Sequence, residues 1–502
     1  MKKLLTIIVS CFLLFSMVPL KGEAANQTLS IGLVKNNNAN LYRIPNSKST
    51  VVEVLNQGEE YPILATSSSN TTKTLYHKVV KRHTLAKIAK QYGTTVRALQ
   101  KENKLTSTRI FSGQILIIPQ KYFIHTVQPQ ETLWKIATRF GVTVKDLSEI
   151  NSLKSERITI GQQIKIPDYF CQIQILGGKK GWIRKSELKV VTQNQVIMGW
   201  TSIATDPNYV MQNNPVNVVS PRWYILKNGG KMVTSHEDSH FIEKAHKQGK
   251  QVWPLIGNLF DHELTDTVLS DSKKRRILVS TLRDSLVQTK SDGINIDFEN
   301  INPKNKQDFV QFIRELKNAL DPYDITVSVD VTRQNEDPFW SGSLDRKELG
   351  KIADYIVIMG YDEHWGTSPK AGSVSSLPWI QEGLQLLMQE VPSHKILLGV
   401  PFYTREWVTD LSTKKVKSHD RTMHQVNQMI SSKGLKKVWD SKASQYYVEY
   451  STETEKHQVW IEDKTSMGKR IDLVKGYKLG GTAAWYLGSE TPDIWDVFKF
   501  QG

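Results

Sequence analysis

The last three-fifths of this 502-residue chain alternates short apolar runs, rich in β-branched residues, with longer stretches of helical periodicity. Strands separated by helices predict a parallel sheet, and eight such repeats predict a closed (β/α)8 barrel, the TIM-barrel fold of the α/β class, over residues 195–502. Functional side chains of that fold lie at the C-terminal ends of the strands. The eight runs are 195–200, 216–219, 251–256, 293–298, 326–330, 355–359, 396–400 and 481–485.

Polar side chains recur at every second position of the fourth run, at Asn295, Asp297 and Glu299. Successive side chains of a strand point to opposite faces, so these three share one face and Asp292 lies on the other. Two carboxyls and an amide are costly to bury in so apolar a segment without partners or a purpose. The pattern therefore indicates a catalytic site, with a structural ion pair inside the barrel as the alternative.

A carboxyl group that protonates a leaving oxygen must keep its proton near neutral pH. Apolar neighbours or a nearby negative charge achieve this by raising its pKa. Glu299, at the strand end, is the predicted general acid, and Asp297 is close enough for the two titrations to be coupled. His364 has no partner histidine at helix or strand spacing, so we expect neither a metal nor a cofactor.

Four motifs at predicted strand ends resemble those of glycoside hydrolase family 18. The pattern Asp292-x-x-Asn295-x-Asp297-x-Glu299 follows the family signature Asp-x-x-Asp-x-Asp-x-Glu except at residue 295. The other three motifs are Met359-Gly360-Tyr361-Asp362, Gly399-Val400-Pro401-Phe402-Tyr403-x-Arg405-x-Trp407 and Gly480-Gly481-x-x-x-Trp485.

The resemblance implies a retaining glycosidase in which the 2-acetamido oxygen of the substrate attacks the anomeric carbon. Glu299 would be the general acid, Asp297 would orient the acetamide, and Tyr361 would donate a hydrogen bond to it. Trp485 would form an apolar floor under the sugar ring. The predicted substrate-binding residues are Asn295, Asp362, Tyr403, Arg405 and Trp485.

Asn295 is the departure from the signature. An amide neither takes up nor releases a proton, so residue 295 cannot share a proton with Asp297, although an amide can still form a hydrogen bond with that carboxyl. Without a bulge Asp292 points away from the cleft, which favours a structural role, and a catalytic role is the alternative. The variant Asp-Gly-x-Asn-x-Asp-x-Glu resembles that of spore peptidoglycan-lytic members of the family.

The interval between the seventh and eighth runs is longer than an ordinary barrel loop. Residues 409–478 are predicted as a small α+β insertion in which 445–450 and 458–461 form a hairpin beside the cleft. Several tryptophans, including Trp200, Trp340 and Trp365, are equally compatible with sugar stacking and with core packing.

An internal repeat precedes the barrel, since residues 76–119 match 124–167 without a gap. A duplication of this kind indicates two copies of one structural unit. Each copy predicts the order β-α-α-β, with Thr95 or Thr143 as N-cap of the second helix and Asn103 or Asn151 near its end.

Both copies resemble LysM modules, which bind glycans containing N-acetylglucosamine; small protein-binding repeats are the alternative. The second copy, with Glu131 and Trp134, matches the module closely. The first has His83 and Ala86 at the corresponding positions, which leaves its glycan binding open.

Segments on either side of the repeat, 30–72 and 169–191, resemble the beginning and end of a bacterial SH3-like barrel. The second reads as a hairpin around Gly177 and Gly178. Neither has enough strands to be stable alone, so we expect one barrel with the LysM modules inserted in it. Two independent β linkers are the alternative.

Residues 1–24 predict a secretory signal peptide, with lysines, an apolar stretch and small residues in that order; an uncleaved anchor is the alternative. Cys171 would be alone in the mature chain, which is typical of a bacterial exporter that does not use disulfides. The 66 basic and 50 acidic residues give a net charge of +16, which favours adsorption to anionic wall polymers. Because the charges are dispersed, nucleic-acid binding is disfavoured.

Together these features predict a monomeric, secreted hydrolase of the cell wall or spore, from a bacterium of the Gram-positive type, that cleaves N-acetylglucosamine linkages in peptidoglycan. A chitinase shares the catalytic residues and is the nearest alternative. A lectin-like wall protein without turnover is the alternative from another class, and the retention of Glu299 argues against it.

Overall fold

The structure is a computed structural model that describes residues 28–43, 49–66, 75–92, 95–118, 122–140, 142–167, 170–201, 210 and 214–498. The predicted signal peptide, 1–24, lies outside the described residues, as do Gly93, Pro119 and Gly141 of the repeats. Within the ranges given, none of the helices has the length and apolar character needed to cross a bilayer. Strands and helices are numbered below in chain order.

The two segments that flank the repeats form one seven-stranded sheet. Its strands are β1 (Thr28–Val34), β2 (Ala39–Tyr42), β3 (Val51–Leu55), β4 (Glu60–Thr66), β9 (Phe170–Gln174), β10 (Lys180–Arg184) and β11 (Leu188–Asn194). They are ordered β11-β1-β4-β9-β10-β2-β3, so strands from both segments interleave. Leu41, Ile173 and Ile183, all fully buried, belong to its shared core, which explains why neither segment is complete alone. The SH3-like classification stays a prediction.

The repeats form two β-α-α-β units, as predicted. The first consists of β5 (Leu75–Lys78), α1 (Leu85–Gln91), α2 (Val96–Glu102) and β6 (Ile115–Ile118). The second consists of β7 (Tyr122–Thr126), α3 (Leu133–Phe140), α4 (Val144–Ile150) and β8 (Gln163–Pro167).

The second helix of each unit is bounded as the sequence predicts. The hydroxyls of Thr95 and Thr143 accept hydrogen bonds from the first turns of α2 and α4, which satisfies amides that lack helical partners. Asn103 then joins the end of α2 to β6, exchanging bonds of 2.6 and 2.7 Å with Ile117. Asn151 does the same with Lys165 in the second unit. Each unit thus closes around its own small core.

The predicted eight-stranded barrel is confirmed. Its strands are β12 (Val196–Thr201), β13 (Val218–Leu226), β15 and β16 (Gln251–Val252 and Leu255–Gly257), β17 (Gly293–Asp297), β18 (Thr326–Thr332), β19 (Tyr355–Met359), β20 (Ile396–Pro401) and β26 (Gly481–Trp485). All neighbours are parallel, and pairing of β12 with both β13 and β26 closes the barrel. The third run is split around Pro254, which has no N–H to donate to a ladder.

Helices cover the outside of the barrel. They are α5 (Ser239–Lys247), α6 (His262–Leu269), α7 (Ser272–Thr289), α8 (Lys306–Leu320), α9 (Arg346–Ile352), α10 (Leu377–Leu387) and α12 (Lys464–Tyr477). Their apolar faces and the outward side chains of the strands form the largest core. A short strand, β14 (Val233–Ser235), pairs antiparallel with the end of β13 and forms a hairpin with it.

An extra antiparallel sheet follows the seventh barrel strand. It contains β21 (Tyr403–Asp410), β22 (Val416–Thr422), β23 (Val438–Asp440), β24 (Gln445–Ser451) and β25 (Glu455–Ile461), with α11 (Met423–Lys433) beside it. The β24–β25 hairpin is at the predicted position. The sheet begins and ends earlier than the predicted insertion, 409–478, because β20 leads almost directly into β21 and the final helix, α12, packs on the barrel.

The N-terminal sheet packs against the end of the barrel where the strands begin. The Gln174 side chain donates to the Tyr477 carbonyl at 3.0 Å, and the Gln193 side chain donates to the His394 carbonyl at 3.0 Å. Both contacts lie just before β20 or β26. The opposite end of the barrel, where the strands finish, is left free of this sheet.

Candidate active site

A cleft of about 1140 Å³ lies at the C-terminal ends of the barrel strands. Seven of the eight predicted site residues line it: Asp297, Glu299, Tyr361, Asp362, Tyr403, Arg405 and Trp485. The eighth, Asn295, lies beneath the cleft floor and is fully buried. The predicted substrate contact of Asn295 is therefore wrong in this structure, since Trp200 covers its amide.

Asn295 is held by three buried partners. Its Oδ1 accepts from Trp200 Nε1 at 2.7 Å, and its Nδ2 donates to Asp330 Oδ1 at 2.7 Å and to Ser328 Oγ at 3.0 Å. Because the indole offers only a donor, the amide orientation is fixed. A hydrogen bond between Asn295 and Asp297, which the sequence allows, is not among these contacts, because the Asn295 amide bonds to Ser328 and Asp330 on β18.

Asp297 and Glu299 are the two carboxyls at the end of β17. Burial raises the pKa of Asp297 to about 6, and the positive charge of Arg222 opposes that shift. Burial also raises the pKa of Glu299 well above its usual value, and the charges of Asp297 and Asp362 add to the rise. Near neutral pH this environment favours an ionised Asp297 beside a protonated Glu299, as general acid catalysis requires.

The backbone at Glu299 is fixed by a residue that sequence reasoning missed. Asn258, which follows β16 and is 1% exposed, accepts from the Glu299 N–H at 3.1 Å and donates to the Glu299 carbonyl at 2.8 Å. This pair of bonds holds the chain against β16 two residues beyond the end of β17. It sets the direction in which the Glu299 side chain leaves the strand.

Three aromatic rings form the base of the cleft. Trp200 packs edge-on against Trp485, with ring centroids 5.9 Å apart, and edge-on against Tyr361 at 6.4 Å. Trp200 is a core residue that supports the other two, whereas Trp340 and Trp365 are exposed at the rim. Burial raises the pKa of Tyr361, so its hydroxyl keeps its proton and can donate.

Asp362 joins the barrel to the extra sheet. Its Oδ1 accepts hydrogen bonds from the Tyr403 hydroxyl and, at 2.6 Å, from Arg405 Nη1. Arg405 also pairs with Asp420 at 3.1 Å. These residues come from the end of the sixth barrel strand and from β21 and β22, and they build the wall of the cleft opposite β17.

Asp292 lies away from the cleft, as its parity predicts. Its Oδ2 accepts from the Val252 N–H at 2.8 Å and contacts His246 Nε2 at 2.9 Å, near the start of β17. This carboxyl links the strand to its neighbour and to α5.

Two further charged residues in the cleft were missed. Asp330 was overlooked although Ser328 and Asp330 alternate on β18 as Asn295 and Asp297 do on β17, so the same pattern would have found it. Arg222, on β13, gave no sequence signal. Within the part of the chain that the structure describes, no three His, Cys, Asp or Glu side chains are arranged to hold a metal ion.

A closed eight-stranded parallel barrel with adjacent carboxyls at the end of its fourth strand defines a glycosidase of the TIM-barrel class. Residues 183–490 match the model of glycosyl hydrolases family 18, and residues 77–119 and 125–167 match the LysM domain. The chain belongs to glycosyl hydrolase family 18 and carries two LysM modules. It is a glycoside hydrolase.

Relatives and solved structures agree with this assignment. The glycosylase YvbX of Bacillus subtilis is 27% identical over 297 residues, which are 57% of this chain and 84% of that protein. The cortical fragment-lytic enzyme of Bacillus subtilis is 24% identical over 265 residues, covering 51% of this chain and 61% of that enzyme. The spore cortex-lytic enzyme SleL of Bacillus cereus shares the fold with a TM-score of 0.56 and 21% identity, over 84% of this chain and 97% of that one.

Proposed function

We propose that the protein is an exported, wall-lytic N-acetylglucosaminidase that cleaves peptidoglycan on the reducing side of N-acetylglucosamine. The observation that carries the proposal is that Asp297 and Glu299 line one cleft with Trp485, in surroundings whose burial raises the pKa of both carboxyls and that of Glu299 further through the charge of Asp297. The two LysM modules and the similarity to cortical fragment-lytic enzymes favour peptidoglycan as the polymer.

The chemistry would proceed in two steps. Glu299 protonates the leaving glycosidic oxygen while the substrate's acetamide oxygen attacks the anomeric carbon, which forms an oxazolinium-like intermediate. Asp297 orients the acetamide N–H and stabilises the positive charge, and Tyr361 donates to the acetamide oxygen. Glu299, now ionised, then takes a proton from the water that opens the intermediate, so the configuration is retained.

The wall-binding part of the chain is inserted between neighbouring strands. Thr66 of β4 and Cys171 of β9 face each other in the sheet, and both LysM modules lie between them in sequence. Binding of the modules to a glycan would hold the barrel near its substrate and raise the effective substrate concentration. The net charge of +16 would add weaker, salt-sensitive attraction to anionic wall polymers.

The test of catalysis is Glu299→Gln, which keeps the shape of the side chain but removes its proton. Reducing ends released from purified peptidoglycan should fall by about 10²- to 10⁴-fold. Glu243→Gln, an exposed change on α5, is the matched control and should keep full activity. Equal activity of Glu299→Gln and the wild type would rule out the mechanism.

A chitinase is the second candidate, because the family resemblance implies the same catalytic residues for chitin and for peptidoglycan, so the motif at 292–299 does not separate the two polymers. Mass spectrometry of products from peptidoglycan and from chitin oligomers separates the two, and we expect the larger kcat/KM on peptidoglycan fragments. Absence of turnover on both polymers, with glycan binding retained, would instead favour the lectin-like alternative.

Deletion of residues 76–167, closed by a short Gly/Ser linker, tests the role of the modules. The facing ends of β4 and β9 need only a short bridge, so the sheet should persist. Hydrolysis of soluble glycan fragments should be unchanged, while pelleting with insoluble walls should fall at high salt. Unchanged pelleting would assign wall binding to the charge or to the barrel.

A further inference from the structure

Strands β17 and β18 bring a third carboxyl into the barrel beside the predicted catalytic pair. In their parallel register Asn295 pairs with Ser328 and Ile296 with Val329, which leaves Asp297 and Asp330 at the next position of neighbouring strands. Adjacent strands are about 4.8 Å apart, and the shared parity directs both side chains inward. Asp330 and Asp297 both line the cleft.

Asp330 is 2% exposed, and one of its carboxyl oxygens accepts a hydrogen bond. Its Oδ1 receives the Asn295 Nδ2–H at 2.7 Å, and the Asn295 amide cannot turn over because its oxygen is taken by the Trp200 indole. On the neighbouring strand, Asp297 Oδ1 is buried and has no hydrogen-bond partner among the described residues. A donor is therefore missing at Asp297.

The charges of this cluster do not balance if every carboxyl is ionised. Asp297, Glu299 and Asp330 lie within one apolar interior, and the cation that acts on the first two is Arg222. Burial, then the charges of Asp297 and Glu299, raise the pKa of Asp330, against a smaller lowering by the Asn295 bond. Tyr361, which also interacts with Asp330, keeps its proton. Ionising all three carboxyls is thus unfavourable.

We propose that Asp330 is a positioning residue that stays a neutral carboxylic acid during turnover, accepting from Asn295 at Oδ1 and donating its own O–H to the unpaired oxygen of Asp297. Its proton remains on Asp330 throughout, while the proton delivered to the leaving group comes from Glu299. Asp297 is then the carboxyl that bears the negative charge opposite the oxazolinium-like intermediate. The inference rests on the proposed function.

In this arrangement Asp330 provides the carboxyl group that residue 295, an asparagine, lacks. Asn295 cannot share a proton with Asp297, and the neighbouring strand supplies a carboxyl in its place. The amide at 295 links that carboxyl to Trp200, which packs against Tyr361 and Trp485. Asp330 therefore acts through Asp297 and does not itself touch the sugar.

The test compares Asp330→Asn, a permanently neutral donor of the same shape, with Asp330→Ala, which has no donor. The measurement is the pH profile of kcat/KM on soluble peptidoglycan fragments with the full-length protein. Asp330→Asn should stay within about threefold of the wild type, with the acidic limb in place. Asp330→Ala should lose at least about tenfold, with the acidic limb moved to higher pH because Asp297 loses a bond that favours its charged form.

Two results would overturn the assignment. If Asp330→Asn falls as far as Asp330→Ala, a negative charge is needed at 330. If both keep the wild-type pH profile, Asp330 has only a structural role. Infrared spectra provide a readout that does not depend on turnover. Near pH 7 the carbonyl band of protonated carboxyls should be larger in Glu299→Gln than in Glu299→Gln/Asp330→Asn, because the contribution of the buried Glu462, whose pKa is about 7, is common to both variants. Equal bands in the two variants would also contradict the proposal.

These outcomes differ from a failure of the proposed function. If the proposed function is wrong, the wild type releases no reducing ends, or Glu299→Gln is as active as the wild type. The Asp330 variants are compared only with an active parent, and the infrared band does not require a substrate.

Discussion

Arg405 Nη1 donates to Asp362 Oδ1 at 2.6 Å, so the first strand of the extra sheet is tied to the end of the sixth barrel strand. The Arg405 side chain is almost fully buried, whereas the Asp362 side chain is 46% exposed. The extra sheet therefore belongs to the active site as a fixed wall. Its position depends on a cation whose partners, Asp362 and Asp420, lie on different elements.

Replacing Arg405 by Gln should loosen that wall. We expect kcat/KM on soluble glycan fragments to fall by about tenfold or more, since small displacements of positioning groups are costly. The free energy of unfolding should fall by only about 1 kcal/mol, because water screens Asp362. Arg314→Gln, an exposed change on α8, is the control. A loss of stability without loss of kcat/KM would contradict a role in the cleft.

The charge of Arg222 should set the pH range of activity. It lowers the pKa of both Asp297 and Glu299, so Arg222→Gln should raise both values. Activity needs Asp297 ionised and Glu299 protonated, so the acidic and the basic limb of the kcat/KM profile should both move to higher pH. Arg222 is exposed, so salt should screen its charge. As salt is added, the limbs of the wild-type profile should therefore move toward those of Arg222→Gln. Limbs that stay in place would exclude this electrostatic role.

The buried pair of Glu462 and Arg470 should be needed for stability. Their side chains are 0% and 1% exposed and are joined at 2.7 Å between the end of β25 and α12. Arg470→Met should lower the free energy of unfolding by about 3 kcal/mol, because it leaves a buried charge without a partner. Urea unfolding of Arg470→Met and of Glu462→Gln/Arg470→Met measures this, and the double variant should be the more stable of the two.

The loss in Arg470→Met should also depend on pH. Burial raises the pKa of Glu462 to about 7 even with Arg470 present, and removing the cation raises it further. An acid whose pKa is higher in the folded state loses stability as pH rises above its unfolded value, near 4.5. The defect should therefore be smaller at pH 5 than at pH 8. A defect independent of pH would show that lost packing, and not charge, is responsible.

The two LysM modules should differ in their contribution to wall binding. Trp134 of the second module is 64% exposed, and the first has Ala86 at that position. Trp134→Ala should weaken binding to insoluble peptidoglycan by about five- to tenfold, the scale of one aromatic stacking contact. Ala86→Ser in the first module is the matched control. Equal effects of both changes in a pelleting assay would mean that Trp134 does not contact the glycan.

Local patterns in the sequence predicted the elements well because each pattern reports on nearest neighbours along the chain. Strand parity placed Asp297 and Glu299 toward the cleft and Asp292 away from it, and threonine caps gave the starts of α2 and α4. The same alternation places Ser328 and Asp330 on one face of β18. A single polar pair in a strand does not by itself indicate a site, however, until the strand is known to lie beside β17. Asn258 could not be recognised, since its function is to bond a backbone distant in sequence.

The sequence by itself determined the barrel, the two β-α-α-β repeats and the carboxyl pair at the end of the fourth strand, because all three depend on periodicity and local spacing. Only the tertiary structure decided which strands are neighbours. The pairing of β17 with β18 placed Asp330 beside Asp297 and left Asn295 buried beneath the cleft, and the pairing of β4 with β9 joined two separate segments into one sheet. Charges interact through space, so the pKa order of the buried carboxyls follows from packing and not from their order in the chain.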